Sequence, residues 1–167
     1  AAAEARLAQF QGLKIKFKRL LDDGKARLLI RRGQMLVEIS SDRLFDAGKS
    51  QMHDDGKSLL GDVAKVLKTL EGRKFQVAGH TDQVKLDKAK VANSWELSTT
   101  RAVEVTKVLV ERGMDPTVLS AGGFAEFTPA APNDTDENRK RNRRIEIVLV
   151  PTAEEIVSLP GVGAGGT

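Results

Sequence analysis

The chain has 167 residues, 40% of them hydrophobic, and a net charge of 27 − 23 = +4. That supports one packed domain, and no run of even ten apolar residues occurs where a membrane span needs about 20. The absence of cysteine excludes disulfide scaffolds, thiolate metal sites and cysteine nucleophiles, and so small a positive charge does not by itself argue for nucleic acid. Residue 1 is Ala with no charged-then-apolar leader behind it, which reads as a processed or trimmed product.

In chain order, Leu7, Phe10, Leu13, Phe17 and Leu20 recur every three or four residues and predict a helix over the first twenty. Docking on the domain and self-association as a homodimer are both open to it. Asp22-Asp23-Gly24 breaks it, and Ala26–Arg31 and Gln34–Ser40 read as a hairpin turning at Arg32-Gly33. In the second strand Met35, Val37 and Ile39 alternate with Leu36, Glu38 and Ser40, so one face is expected to be buried more completely. Leu59, Val63, Val66, Leu67 and Leu70 predict a helix from His53 to Leu70, and Phe75–Ala78 a strand. A polar, Lys-rich loop to about Ala92 follows, then a helix from Ser94 or Ser98 to Arg112 with Ala102, Val105 and Leu109 inward. Val118–Gly122 reads as a strand, Phe124–Asn133 as a loop, and Asp136–Asn142 as a short helix with Asp134-x-x-Glu137 as its capping arrangement. Ile145, Ile147 and Leu149 make a last strand. The fold class is therefore α+β, an α/β sandwich with helices packed on a mixed sheet, plus an N-terminal helix and hairpin. Residues 1–22 are read as an N-terminal helix or linker, 23–150 as the domain, and 151–167, rich in Gly and Pro, as a flexible tail.

Several chemistries are set aside. Gly48-Lys49-Ser50 and Gly56-Lys57-Ser58 end like phosphate loops, but Arg43 and Gln51 stand where the first Gly is required. His53 and His80 are the only histidines and have no metal-binding spacing. Ser98, His80 and Asp82 can be written as a triad but lack a nucleophile elbow. His80 is better read as a strand-end residue making an ordinary hydrogen bond. Arg139 to Arg144 carries five cations in six positions. Few aromatics accompany it, so a solvated basic face is preferred to a nucleic-acid surface.

Asp82 lies just beyond a strand's carboxyl end, and Arg101 lies in the first turns of the next helix, so the two converge on one side of the sheet. They either neutralise each other as a salt bridge or grip a ligand carrying an ammonium and a carboxylate on one carbon. Spacing leaves both open.

Four blocks are in order: Gly79-His80-Thr81-Asp82, Leu97-Ser98-x-x-Arg101-Ala102-x-x-Val105, Gly123-Phe124-Ala125-Glu126-x-x-Pro129 and Asn142-Arg143-Arg144-Ile145-Glu146-Ile147. Over about residues 26–150 the chain resembles the OmpA-like peptidoglycan-binding domain family. Asn93-Ser94-Trp95-Glu96-Leu97-Ser98 and the long loop after Asp82 are most similar to its MotB-like, flagellar stator branch. The resemblance implies a non-catalytic, cofactor-free domain of the bacterial periplasm that anchors an envelope or motor protein to the cell wall. Its membrane anchor would lie in parts absent from this sequence. The implied ligand is the diaminopimelate of the peptidoglycan stem peptide. Asp82 takes its ammonium and Arg101 its carboxylate, Thr81 and Arg143 line the pocket, and Asp46 is a further contact. Ser94, standing where the family carries Asn, and Leu97 complete the set. Arg139, Lys140 and Arg141 are left as solvated surface, and Trp95 is expected to pack beneath the pocket. A peptidoglycan hydrolase and a nucleic-acid binder through 139–144 are the alternatives. No nucleic-acid partner is expected.

Overall fold

Two turn residues set the first register. Arg32 and Gly33 sit at φ 53° and 73°, the positive values that a tight primed hairpin turn requires. They fold β1 (Arg27–Arg31) antiparallel onto β2 (Gln34–Ser40), with Arg31 opposite Gln34. The structure is a computed structural model that describes residues 2–83 and 88–157, side chains of residues 2 and 88–93 excepted.

The other elements are α1 (Ala2–Lys16), α2 (Lys18–Asp22), α3 (Asp54–Leu67), β3 (Lys74–His80), α4 (Lys88–Glu111), β4 (Leu119–Gly123), α5 (Asp136–Asn142), β5 (Arg144–Val150) and α6 (Ala153–Val157). They build a mixed five-stranded sheet in the order β1-β2-β5-β3-β4. β5 runs antiparallel to both neighbours, and β3 and β4 are parallel, joined by the α4 crossover. The fold is thus the expected α+β class.

Alternation splits the sheet into two faces. Val37, Ile147 and Val77 stand in one cross-strand row. With Met35, Ile39, Ile145, Leu149 and Phe75 they form the core, packed against Leu60, Val63 and Leu67 of α3 and Ala102, Val105 and Leu109 of α4. Burying each such side chain contributes about 1.5–3 kcal/mol. Glu38 and Glu146 pair across the opposite face, as do Arg144 and His80. That face is buried as well, since every residue from Met35 to Ile39 is buried, but Ser40 on it is only half-buried, so the Met35, Val37, Ile39 face is the more completely covered one, as the alternation predicted.

The N-terminal helix is two helices meeting at Phe17. Leu13, Phe17 and Leu20 dock in the core and Phe10 packs partly against it, but Leu7 is exposed. α4 starts at Lys88, inside the expected loop. Lys88, Ala89 and Lys90 are good helix formers, and the period reading missed them because they carry no apolar stripe. Residues 84–87 of that loop lie outside the described residues. α5 is capped by Thr135, whose hydroxyl accepts from Asn138 N at 3.1 Å. Asp134 instead accepts from the Asn138 side chain. In the expected tail, residues 153–157 form α6, with Thr152 and Glu155 exchanging capping bonds and Glu155 paired to Arg73 at 2.6 Å. Residues 158–167 lie outside the described residues.

Candidate functional site: a cleft at the carboxyl end of the third strand

The sheet register assembles the cleft. Ser40 at the end of β2 and His80 at the end of β3 both stand opposite Arg144 at the start of β5. The segments after the first two therefore flank the residue before the third, and Asp42, Asp82 and Arg143 meet. Arg143 donates from Nη1 to Asp82 Oδ2 at 2.7 Å, and from Nε and Nη2 to the two oxygens of Asp42 at 3.2 and 3.1 Å. The hydrogen bonds to Asp42, then the one to Asp82, hold its pKa above the ordinary arginine value against the opposing effect of burial.

Arg101 arrives from α4, which packs unusually close to the parallel strands. A Cβ on Gly79 would overlap the Ser98 carbonyl oxygen, and one on Gly123 would overlap Thr99 Oγ1, so only glycine admits the helix at this depth. Ser98 Oγ then donates to Trp95 O and accepts from Ala125 N, both at 3.1 Å, and Ala125 O accepts from Thr81 N at 2.9 Å. The serine set aside as a nucleophile thus ties the helix to the loop that carries Thr81.

Arg101 itself is 4% exposed. It donates from Nε to Lys49 O at 2.9 Å and from Nη2 to Asp46 O at 3.1 Å, and lies over the Phe45 ring. Burial lowers its pKa, while Asp42 and Asp82 oppose that. Its third nitrogen, Nη1, donates no hydrogen bond among the described residues. No ion pair joins Arg101 to Asp82 among the described residues: of the two readings left open, the simple salt bridge is not formed, because Asp82 pairs with Arg143.

Around these groups opens a cleft of about 910 Å³. Asp46, Thr81, Asp82, Ser94, Leu97, Arg101 and Arg143 all line it. Thr81 Oγ1 is buried without a partner among the described residues, Ser94 is buried, and Leu97 forms a half-buried apolar wall. The Asp46 carboxylate meets His53 Nε2 at 2.7 Å, and that hydrogen bond lowers its pKa. Sequence reasoning missed Asp42, Phe45 and His53 as lining residues. Asp42 was detectable in principle, because it follows directly on the end of a predicted strand. His53 was not, because the Phe45–Met52 bridge that brings it back is a tertiary contact.

The cluster Asn142-Arg143-Arg144 divides its work. Asn142 is fully buried and clamps the loop before α5, accepting from Ala130 N and Ala131 N and donating to Ala131 O and Asn133 Oδ1. Arg143 faces the cleft. Arg144 is not solvated: it is 1% exposed and donates to Glu146 Oε1 and Thr128 O, each at 2.8 Å, and to Asn142 O at 3.2 Å. Arg139 is half-buried and paired to Asp136. Among the described residues His80 makes no ordinary hydrogen bond. Its Nδ1 is buried without a partner, Nε2 stands 3.7 Å from Glu146 Oε2, and the ring stacks on Phe124. Burial, then the charge of Arg144, pushes its pKa down to about 4. Trp95 does not pack beneath the cleft. It is 47% exposed, against Phe127.

A mixed sheet with helices on its core face, presenting carboxylates and guanidinium groups at a strand-end cleft, defines an α+β ligand-binding domain. The family model described as the OmpA family matches residues 44–143, and the chain belongs to that family. It is 32% identical to Motility protein B of Bacillus subtilis over 118 residues, 70% of this chain and 45% of that one. Its fold matches a MotB-like protein from Desulfovibrio vulgaris at a TM-score of 0.78 and 27% identity, covering 89% of this chain and 92% of the other. The cell wall anchor of the type VI secretion system from Pseudomonas aeruginosa follows at 0.73 and 26%, covering 84% and 97%. The chain spans about half the length of the curated relatives it matches. The expected place in the periplasmic cell envelope accords with this membership. No helix among the described residues is long and apolar enough to cross a membrane.

Proposed function

We propose that this domain holds the bacterial cell wall without catalysis, taking the diaminopimelate of a peptidoglycan stem peptide into the cleft. The observation that carries the reading is the buried Arg101 guanidinium. Two of its nitrogens are fixed by backbone carbonyls and the third donates to none of the described residues, in the same cleft as the Asp82–Arg143–Asp42 cluster. A planar cation held in advance loses little freedom on meeting a carboxylate. The ligand's ammonium goes to Asp82, where Asp42 adds a second negative charge, and Thr81 and Arg143 line the same wall. Asp46, Ser94 and Leu97 line the cleft with them. The similarity to a cell wall anchor supports the same reading. So does Ser98, whose hydroxyl is already committed to two backbone groups and is no free nucleophile.

The test is co-sedimentation with diaminopimelate-type sacculi. Each charge-assisted hydrogen bond contributes roughly 1.5–3 kcal/mol, so Asp82→Asn and Arg101→Lys should each weaken binding by at least about tenfold. Their circular dichroism should stay that of the folded chain. Equal pelleting by the parent and both variants overturns the reading.

A further inference from the structure

A second cavity, of about 320 Å³, opens beside α5 and the start of the hairpin and shares no lining residue with the cleft. Six cations line it against two acids, Glu38 and Glu137, a local balance of 6 − 2 = +4. Arg27 is paired to Glu38 and Arg144 to Glu146. The other four, Lys25, Arg43, Lys140 and Arg141, have no carboxylate within 4.0 Å among the described residues and are exposed. They come from three separate elements: the turn before β1, the turn after β2, and the last turn of α5. The Ser40 hydroxyl in the same lining is buried without a hydrogen-bond partner.

Like charges brought together without counter-charges repel one another, and a multivalent anion relieves several of those repulsions at once. The guanidinium forks of Arg43 and Arg141 match phosphate oxygens at two points each. Among the described residues no aromatic side chain lines the cavity, so none of them stacks a nucleic-acid base there. We propose that this cavity is a phosphate-binding site, independent of the cleft, that takes a phosphate-bearing group of the cell envelope. The shared chemistry is a clustered phosphate charge, carried by a lipid head group or by a soluble or polymeric phosphate.

The experiment titrates the chain with pyrophosphate, followed by amide NMR shifts and thermal melting. The parent is compared with Lys25→Gln/Arg43→Gln, Lys140→Gln/Arg141→Gln and Asp82→Asn. Exposed charge substitutions of this kind leave folding intact. Pyrophosphate should shift amides around residues 24–27, 40–43 and 137–141 and raise the melting temperature of the parent. Each double variant should weaken binding by about three- to tenfold, and binding should fall as salt rises. Asp82→Asn should bind pyrophosphate like the parent, which separates this site from the wall-binding reading. In a second arm, binding to phosphatidylglycerol but not phosphatidylcholine vesicles, lost in the double variants, identifies a lipid head group. Pyrophosphate binding without vesicle binding identifies a soluble or polymeric phosphate. The proposal is overturned if millimolar pyrophosphate leaves these amides unmoved, or if the double variants bind it like the parent. It is overturned equally if a single-stranded oligonucleotide binds far more tightly than either phosphate probe and depends on the same residues.

Discussion

Arg143 and Arg144 are neighbours in sequence and face opposite worlds. Arg143 lies in an open cleft, forked between the exposed Asp42 and the buried Asp82, both of which line that cleft. Arg144 is buried behind the sheet with Glu146, at the floor of the second cavity, and both Arg31 and Arg144 reach the Glu38 and Glu146 carboxylates. In the cleft, charges are held in position but not exhausted, and they are available for recognition. Behind the sheet they neutralise one another. Burial opposes the ionised form of Glu146, yet Arg144, His80 and Arg31 hold its pKa below the usual carboxylate range. A buried pair of this kind is weak evidence of net stabilisation, but removing one partner is costly.

That contrast can be broken in three ways. The largest effect is expected from Arg144→Ala, which leaves the buried Glu146 with Arg31 as its main partner. Urea unfolding should show a loss of about 3–5 kcal/mol, with sacculus binding retained by the fraction still folded. A loss under 1 kcal/mol would mean that the rear network is no tighter than the cleft. Next is Gly79→Ala, where the new methyl meets the Ser98 carbonyl. Overpacking against backbone should cost about 3 kcal/mol. Because α4 must retreat and take Arg101 with it, wall binding should fall in the same variant. Unchanged stability would refute the close approach of helix and strand.

The smallest effect is a pH dependence. His80 has its pKa depressed from 6.5 to about 4 by burial, so between those values the unfolded chain binds the proton and the folded chain does not. Stability is then full above pH 6.5 and is lost as pH falls toward 4. At pH 5 the loss is about 2 kcal/mol. Glu146, whose pKa is also depressed, adds its own loss only below about its unfolded value of 4.5. Comparing urea midpoints at pH 7.5 and 5.0 should show the shift in the parent and its near absence in His80→Asn. Equal shifts in both would assign the acid sensitivity elsewhere.

Much of this was legible in the sequence, where a residue's own periodicity carried the signal. The hairpin turn needed two positive-φ positions, and Arg32-Gly33 announced one of them. The stripe of Leu59, Val63 and Leu67 was bound to be a buried helix face. The seven residues named for the cleft do line one cavity, because residues at strand ends and helix starts are placed by topology once the strand order is right. Asp42, the start of α4 and the cap of α5 left local traces that periodicity alone does not register. Illegible were His53 at the cleft and the burial of Arg144, because each depends on what another segment does. The Arg139–Arg144 run shows why: six consecutive residues look like one basic patch until the end of α5 sends Asn142 inward, Arg143 to the cleft and Arg144 behind the sheet.

Local sequence therefore set most of the elements, the class of fold and the acid–guanidinium pairing of types, because helix period, strand alternation and turn geometry are local properties of the chain. Tertiary structure alone decided which carboxylate meets which guanidinium. Asp82 closes on Arg143 rather than Arg101 because sheet register sets the first two side by side, while the Gly79 contact fixes the depth of the helix that carries the third.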